Sequence, residues 1–474
     1  MKNIRTICTF LFGVMVLLFF GLVYPHHLHY QEQYQLFLFD STYVWEIMKQ
    51  PGGIADLLGR FCTQFFLFAW IGAFIIAFLL SAVQLLALQL YSSWTSQTAK
   101  SSEGWLYGLS FVPSCLLWLY LLDENALLSG IWAMLITLIS AWGIAKLAKG
   151  WKRNILLIIA IPILYWVAGP VCLPIPIDGL WHGVHYYRYP SEFPTLLWGA
   201  ALSVFLLAIL RRGFQKWTNG SINPVATLIS FALVALVMGT LVSKHANFKA
   251  ERVMQYDFMA RYQQWNRILE TVNKEKPNNQ IGVTVQNLAL AMHGLLTQHL
   301  FEYNQNGIAG LLPDMMTDAV SPLPTAEAFY QLGMITVAQR TTFEAQEAIL
   351  DFQKSARCYQ RLAQTYLILG NYEVSRKYLM ALQKTLFYRS WANETLPLLG
   401  DEEAIAKHPE YGRLRQMAYK DDFYFGGHIT ADMLEKLYEV NPENHLAYEY
   451  LVAYYMLTGN REGYAKFLRK MNKQ

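Results

Sequence analysis

The amino-acid sequence predicts an all-α protein in two parts: a polytopic, seven-helix membrane domain over residues 1–243 and an α-helical repeat domain over 244–474. Three observations predict it. The 474 residues are 54% apolar and only 15% charged, with a mean hydropathy of +0.21, outside the usual range of soluble chains. Before residue 244 the charges are unevenly spread, with seven long stretches lacking Asp, Glu, Lys and Arg altogether. From Lys244 onward charges are frequent, apolar residues recur three and four apart among good helix formers, and the strict alternation of a strand is absent.

The uncharged stretches give the membrane helices in order, since a helix needs about 20 apolar residues to cross a hydrocarbon core. They place seven spans at 7–24, 64–90, 105–122, 127–145, 154–173, 194–210 and 224–243. Between the third and fourth, Asp123, Glu124 and Asn125 leave room only for a tight turn. The first span follows Lys2 and Arg5 and ends in "VYPHH" with no small-x-small pattern, so it reads as an uncleaved anchor. Gln64, Gln84, Gln89, Pro113 and Pro162 are the residues expected to line a cavity or kink a helix. No acid or base stands at mid-depth to couple transport to protons or ions.

Orientation follows from the flanking bases. With the N-terminus inside, the inner loops carry Lys2, Arg5, Lys100, Lys146, Lys149, Lys152, Arg153, Arg211, Arg212 and Lys216. The outer loops carry only Lys49, Arg60 and Arg188, which puts the C-terminal half outside the cytoplasm. The net charge of +4 is then a matter of membrane orientation, and the inner loops are too short to bind nucleic acid. Cys358 is the lone cysteine of the C-terminal half, so that half must hold together by its core rather than by a disulfide.

Two windows of the C-terminal half share a spacing. In "YQRLAQTYLILGNYEVSRKYLMAL" the positions are Tyr359, Leu362, Ala363, Tyr366, Gly370, Tyr372, Ser375 and Leu379. In "YEYLVAYYMLTGNREGYAKFL" they are Tyr448, Leu451, Val452, Tyr455, Gly459, Tyr464 and Leu468. Large residues on one helix meet small ones on the next, and a Gly-Asn turn lets the pair close. This spacing resembles degenerate tetratricopeptide repeats, a resemblance that implies a solenoid binding a protein or peptide partner, which the base bias would put in the periplasm. The windows begin 89 residues apart, so plain helical hairpins of similar length, or an unrelated helical bundle, stay open. A further hairpin is expected over Tyr262–Pro277 and the helix that follows.

The outer loops 24–60 and 174–192 hold the candidate chemistry. "HHLH" lacks an i, i+4 histidine pair, and "HGVH" (His182, His185) lacks the flanking glutamate of a metal-hydrolase motif. No metal and no cofactor is therefore predicted. Tyr24, Tyr30, Tyr34, Trp181, Tyr186, Tyr187 and Tyr189 are expected to form an aromatic belt at headgroup level.

"HYQEQYQLFLFDSTYVWEIMKQPGG" sets Glu32 and Asp40 shortly after the first span, before an amphipathic segment and a Pro-Gly-Gly break. This loop resembles the first outer loop of membrane glycosyltransferases that use polyprenyl-phosphate sugars. The resemblance covers only the membrane half. It implies Glu32 or Asp40 as general base, Arg60 or Arg188 against the donor phosphate, and a polyprenyl-phosphate lipid as partner. Across the whole chain, "YPHHLHYQEQYQLFLFDSTYVWEIMKQPGGIADLLGRFCTQFF" and "NNQIGVTVQNLALAMHGLLTQHLFEYNQNGIAGLLP" resemble an uncharacterised integral-membrane family of Bacteroidota. That resemblance implies a bacterial inner-membrane address and no residue roles. Two functions stay open: a membrane-embedded scaffold that presents its C-terminal domain to an envelope partner, and a glycosyltransferase-like enzyme.

Overall fold

The structure, a computed structural model, describes residues 2–33, 35–50, 52–93, 107–147, 193–214, 224–313, 321–349, 353–419 and 430–471. Among them the chain is helical with no strand. It divides into one unit of Met1–Phe248 with Leu350–Gln353, and another of Lys249–Ile349 with Lys354–Gln474.

In the first unit, α1 (Lys2–Leu18) continues as a π-helical stretch, Phe19–Val23. Three short helices follow, α2 (Pro25–Glu32), α3 (Ser41–Met48) and α4 (Gly53–Thr63), and then α5 (Ala69–Ser93), α6 (Val112–Tyr120), α7 (Ser129–Leu147), α8 (Thr195–Phe214) and α9 (Pro224–His245). α5 is the hub. It packs along α1, α6 and α7, so Phe12, Val16 and Phe20 of α1 share a core with Ala73, Ile76, Leu80 and Val83 of α5. α4 lies against α7 so closely that a Cβ on Gly59 would stand 2.6 Å from the Ser129 nitrogen.

Among the described residues four helices are long and apolar enough to cross a membrane: Asn3–Val23, Ala69–Tyr91, Ser129–Lys146 and Pro224–His245. They coincide with the first, second, fourth and seventh expected spans. The third and sixth correspond to shorter apolar helices, Tyr107–Tyr120 and Thr195–Val204. The expected span 154–173 lies outside the described residues. Between α6 and α7 the expected tight turn is present, with the Asp123 carboxylate accepting from the Asn125 N–H at 2.8 Å.

Of the polar residues named for the spans, Gln84 ties helices together, while Gln64 donates to the Phe61 carbonyl of its own segment at 2.8 Å and Gln89 is exposed. Gln84 is fully buried, accepts from the Thr9 hydroxyl at 3.0 Å and donates to Ser110 Oγ at 2.8 Å. Tyr107 Oη lies 2.9 Å from the same threonine and donates to the Arg5 carbonyl at 2.7 Å. An amide in an apolar surround must be hydrogen-bonded, and here it joins α1, α5 and the start of the third apolar segment. Pro113 sits in the first turn of α6, where its missing N–H breaks nothing, so it starts that helix instead of kinking it. Pro162 lies outside the described residues.

The second unit is a run of helical hairpins: α10 (Phe248–Arg261), α11 (Trp265–Glu275), α12 (Gln280–Met292), α13 (Leu296–His299), α14 (Pro322–Leu332), α15 (Ile335–Ala348), α16 (Ala356–Ile368), α17 (Tyr372–Leu382), α18 (Arg389–Thr395), α19 (Glu402–Lys407), α20 (Tyr411–Met417), α21 (Thr430–Val440), α22 (His445–Thr458) and α23 (Arg461–Met471). The pairs α11/α12, α14/α15, α16/α17, α21/α22 and α22/α23 each pack on one another. Gly370 (φ 82°) and Gly459 (φ 65°) end the first helix of their hairpins in the left-handed region, where a side chain is strained. Ala363 is fully buried where α16 meets α17, and Ser375 Oγ of α17 donates to its carbonyl at 2.8 Å.

Two ion pairs fix α16 to earlier helices. Arg357 makes a bidentate pair with Asp257 of α10, one bond measuring 2.8 Å, and both side chains are buried. One turn later Arg361 pairs with the buried Glu327 of α14 and lies 3.6 Å over the Tyr330 ring. Near the front of the unit, Asn279 caps α12 by accepting from the Gly282 N–H at 2.7 Å. Asn287, also fully buried, donates to Gln305 and to the Gly310 carbonyl, both at 2.9 Å. The sequence "NQNG" is thereby zipped onto the helix that precedes it.

Candidate functional site

The densest buried polar stretch of the first unit follows the first apolar helix. Pro25 opens α2, and the helix packs on the 3-10 turn Gln64–Leu67 and on α5. His27, Gln31 and Glu32 therefore enter the protein, and Gln33 and Gln35 are buried just past the helix end. Glu32 is 3% exposed and His27 fully buried. Gln31 Nε2 donates to the Ala126 carbonyl at 3.1 Å. Tyr24 donates to the Leu122 carbonyl at 3.4 Å and accepts from the Asn247 N–H at 3.1 Å. The His27 ring lies 4.5 Å from the Tyr24 ring. Burial pushes the His27 imidazole down to about 4, against the opposing pull of the Leu121 backbone and Asp123.

These positions correct the expected aromatic belt. Tyr24 and Tyr30 are buried inside the protein, not turned to headgroups, because α2 folds back onto the bundle. Tyr34 and residues 181–189 of that belt lie outside the described residues.

Asp40 and Arg60 belong to a neighbouring group on α3 and α4. The Asp40 carboxylate accepts from the N–H groups of Thr42 (3.0 Å) and Tyr43 (3.2 Å), which makes it the N-cap of α3. Arg60 pairs with Asp56 one turn earlier on α4, at 2.8 Å, and its Nη1 reaches Tyr43 Oη at 3.5 Å. Tyr43 in turn donates to the Leu36 carbonyl at 2.6 Å, and burial pushes its phenol up. Asp40 thus has a structural duty and Arg60 a neutralising partner, whereas Glu32 is held deep in the polar stretch. Arg188 lies outside the described residues.

The periodicity of the sequence gives no hint of Gln35. It is 2% exposed, and neither its amide oxygen nor its nitrogen has a hydrogen-bond partner within the protein. Leaving a buried amide unpaired costs about 1–3 kcal/mol per group. His26 and His29 approach with their Nδ1 atoms 3.4 Å apart. Among the described residues no group of three His, Cys, Asp or Glu stands close enough to hold a metal ion.

A helical chain with, among the described residues, four membrane-length apolar helices, three short helices after the first of them and a unit of helical hairpins is thus defined. The chain belongs to a family of unknown function (DUF6057), which it matches over residues 2–474. No curated protein and no solved structure matches it.

Proposed function

We propose that this is a membrane-embedded scaffold that presents its hairpin unit, outside the cytoplasm, to a protein or peptide partner of the cell envelope. The observation that carries it is the build of the second unit: helix pairs in succession with a core of their own, an architecture that suits a binding surface. The inner face of α16 is filled by the chain's own Asp257 and Glu327, so the partner is met on other faces.

A second reading is favoured by one observation, the burial of Glu32 among His27, Gln31 and an unpartnered Gln35. It is a glycosyltransferase-like enzyme acting on a polyprenyl-phosphate-linked sugar, with Glu32 as general base. Asp40 and Arg60 are weaker candidates for base and phosphate ligand, because one caps α3 and the other is paired with Asp56.

Complementation of a deletion strain separates the two. Three variants are compared at equal membrane level: a chain ending at Phe248, E32Q, and D40N, which keeps the cap. The scaffold reading expects the truncation to abolish complementation and both point variants to retain it. Removing a general base lowers activity by about 10²-fold or more, so E32Q failing as fully as the truncation would transfer the function to the membrane half.

A further inference from the structure

The outer face of α17 carries a surface that neither reading uses. α17 turns Ser375, Leu379 and Leu382 inward, against α16. Glu373, Arg376, Lys377, Met380 and, just past the helix end, Lys384 are exposed, and at 100° per residue they share an arc of about 100°. Met380 is 54% exposed, and Leu386 (42%) and Arg389 extend the same run. Between 373 and 389 the chain has four bases and one acid.

Ion pairs engage several bases elsewhere on the unit, though among the described residues exposed Lys274, Arg461, Lys466 and Arg469 form none. Lys407 pairs with Glu403, Arg340 with Glu344, Arg415 with Glu402, and Lys470 with Glu435 and Glu439. Among the described residues neither Arg376 nor Lys377 forms an ion pair, although Glu373 stands one turn before both. Cations interleaved with exposed apolar side chains on one helix face suit an anionic bilayer surface: the cations meet lipid phosphates while methionine and leucine enter the acyl boundary. The chain's own apolar helices would hold this unit beside a bilayer, so even a weak face is used at high effective concentration. An acidic protein would match the charges but leaves Met380 and Leu386 without a stated role.

We propose that the α17 face, from Arg376 through Arg389, docks on the headgroups of anionic phospholipid and fixes how the hairpin unit stands on the membrane. The proposal is independent of which partner the unit binds.

Amine footprinting of the full chain tests it, in nanodiscs of phosphatidylcholine alone and in nanodiscs of equal parts phosphatidylcholine and phosphatidylglycerol. Lys377 and Lys384 are expected to acetylate several-fold more slowly in the anionic discs, while exposed Lys274 on α11 labels equally in both. High salt should erase the difference, because it screens headgroup charge. The double variant R376E/K377E, on an exposed face, should restore the Lys384 rate in anionic discs to its zwitterionic value. Equal labelling of Lys377 and Lys384 in both lipids overturns the proposal. So does slowing that survives both salt and charge reversal, or protection that appears only when an acidic protein is added.

Discussion

His27 is a histidine that the fold keeps neutral, and its consequence is a pH dependence with a definite sign. The unfolded imidazole titrates near 6.5, while burial holds the folded one near 4. Above the ordinary value both states are neutral and the residue adds no slope. Between about 6.5 and 4 the unfolded chain binds the proton that the folded chain refuses, so stability falls as the pH drops through that window. The full shift corresponds to a loss on the order of 3 kcal/mol. In detergent, the apparent melting temperature of the full chain should fall between pH 7 and pH 5, and His27→Gln should flatten that fall. An equal fall in both proteins would place the acid sensitivity elsewhere. The sequence does not reveal this burial. "HHLHYQEQ" has only Leu28 and Tyr30 among polar residues, so periodicity offers no broad apolar face, and the packing of α2 on α5 and on the turn Gln64–Leu67 takes these side chains out of water. Asp40 was more legible, because an aspartate just before "STYVWEIM" is a capping signal whatever else it does.

At the scale of the element, local signals were read well and non-local ones were not. The Gly-Asn turns at 370 and 459, the turn at Asp123 and the break at Gly52 are each dictated by a few adjacent residues. The ion pairs that lock α16 join residues 100 and 34 positions apart, and no local pattern foretells them. Nor does composition show that the glutamine and threonine of the spans close on one another, since Gln84 and Thr9 are separated by 75 residues. The crossing of α16 and α17 offers a direct test. Ala363 has no exposed surface and its carbonyl is bonded across the crossing by Ser375, so a phenyl ring there must overpack the pair at a cost of about 1–3 kcal/mol. In the full chain, A363F is expected to lower the melting temperature of the hairpin unit well below that of Lys377→Ala on the exposed face. Equal melting would mean that the two helices yield without strain at that point.

For the whole molecule, length and charge distribution decide more than any motif. Helices in the order of the uncharged stretches form because an apolar run has no other way to satisfy its backbone in lipid, and four of them reach membrane length. The side on which the hairpins are expected rests on the bases: Lys2 and Arg5 belong to the first apolar helix, Lys146 lies in the last turn of the Ser129–Leu147 helix, and Arg211 and Arg212 lie near the end of the Thr195–Phe214 helix. On the expectation of seven spans, we propose that retaining those bases on the cytoplasmic side puts the N-terminus inside and the chain after Pro224–His245 outside. Alkaline phosphatase, which is active only outside the cytoplasm, should therefore be active when fused after Gln474 and inactive when fused near Lys149 or Arg212. The reverse pattern, activity near Lys149 and none at the C-terminus, would place the hairpin unit in the cytoplasm. It would remove the envelope partner from the proposed function and would leave the α17 face to meet the lipid of the inner leaflet instead.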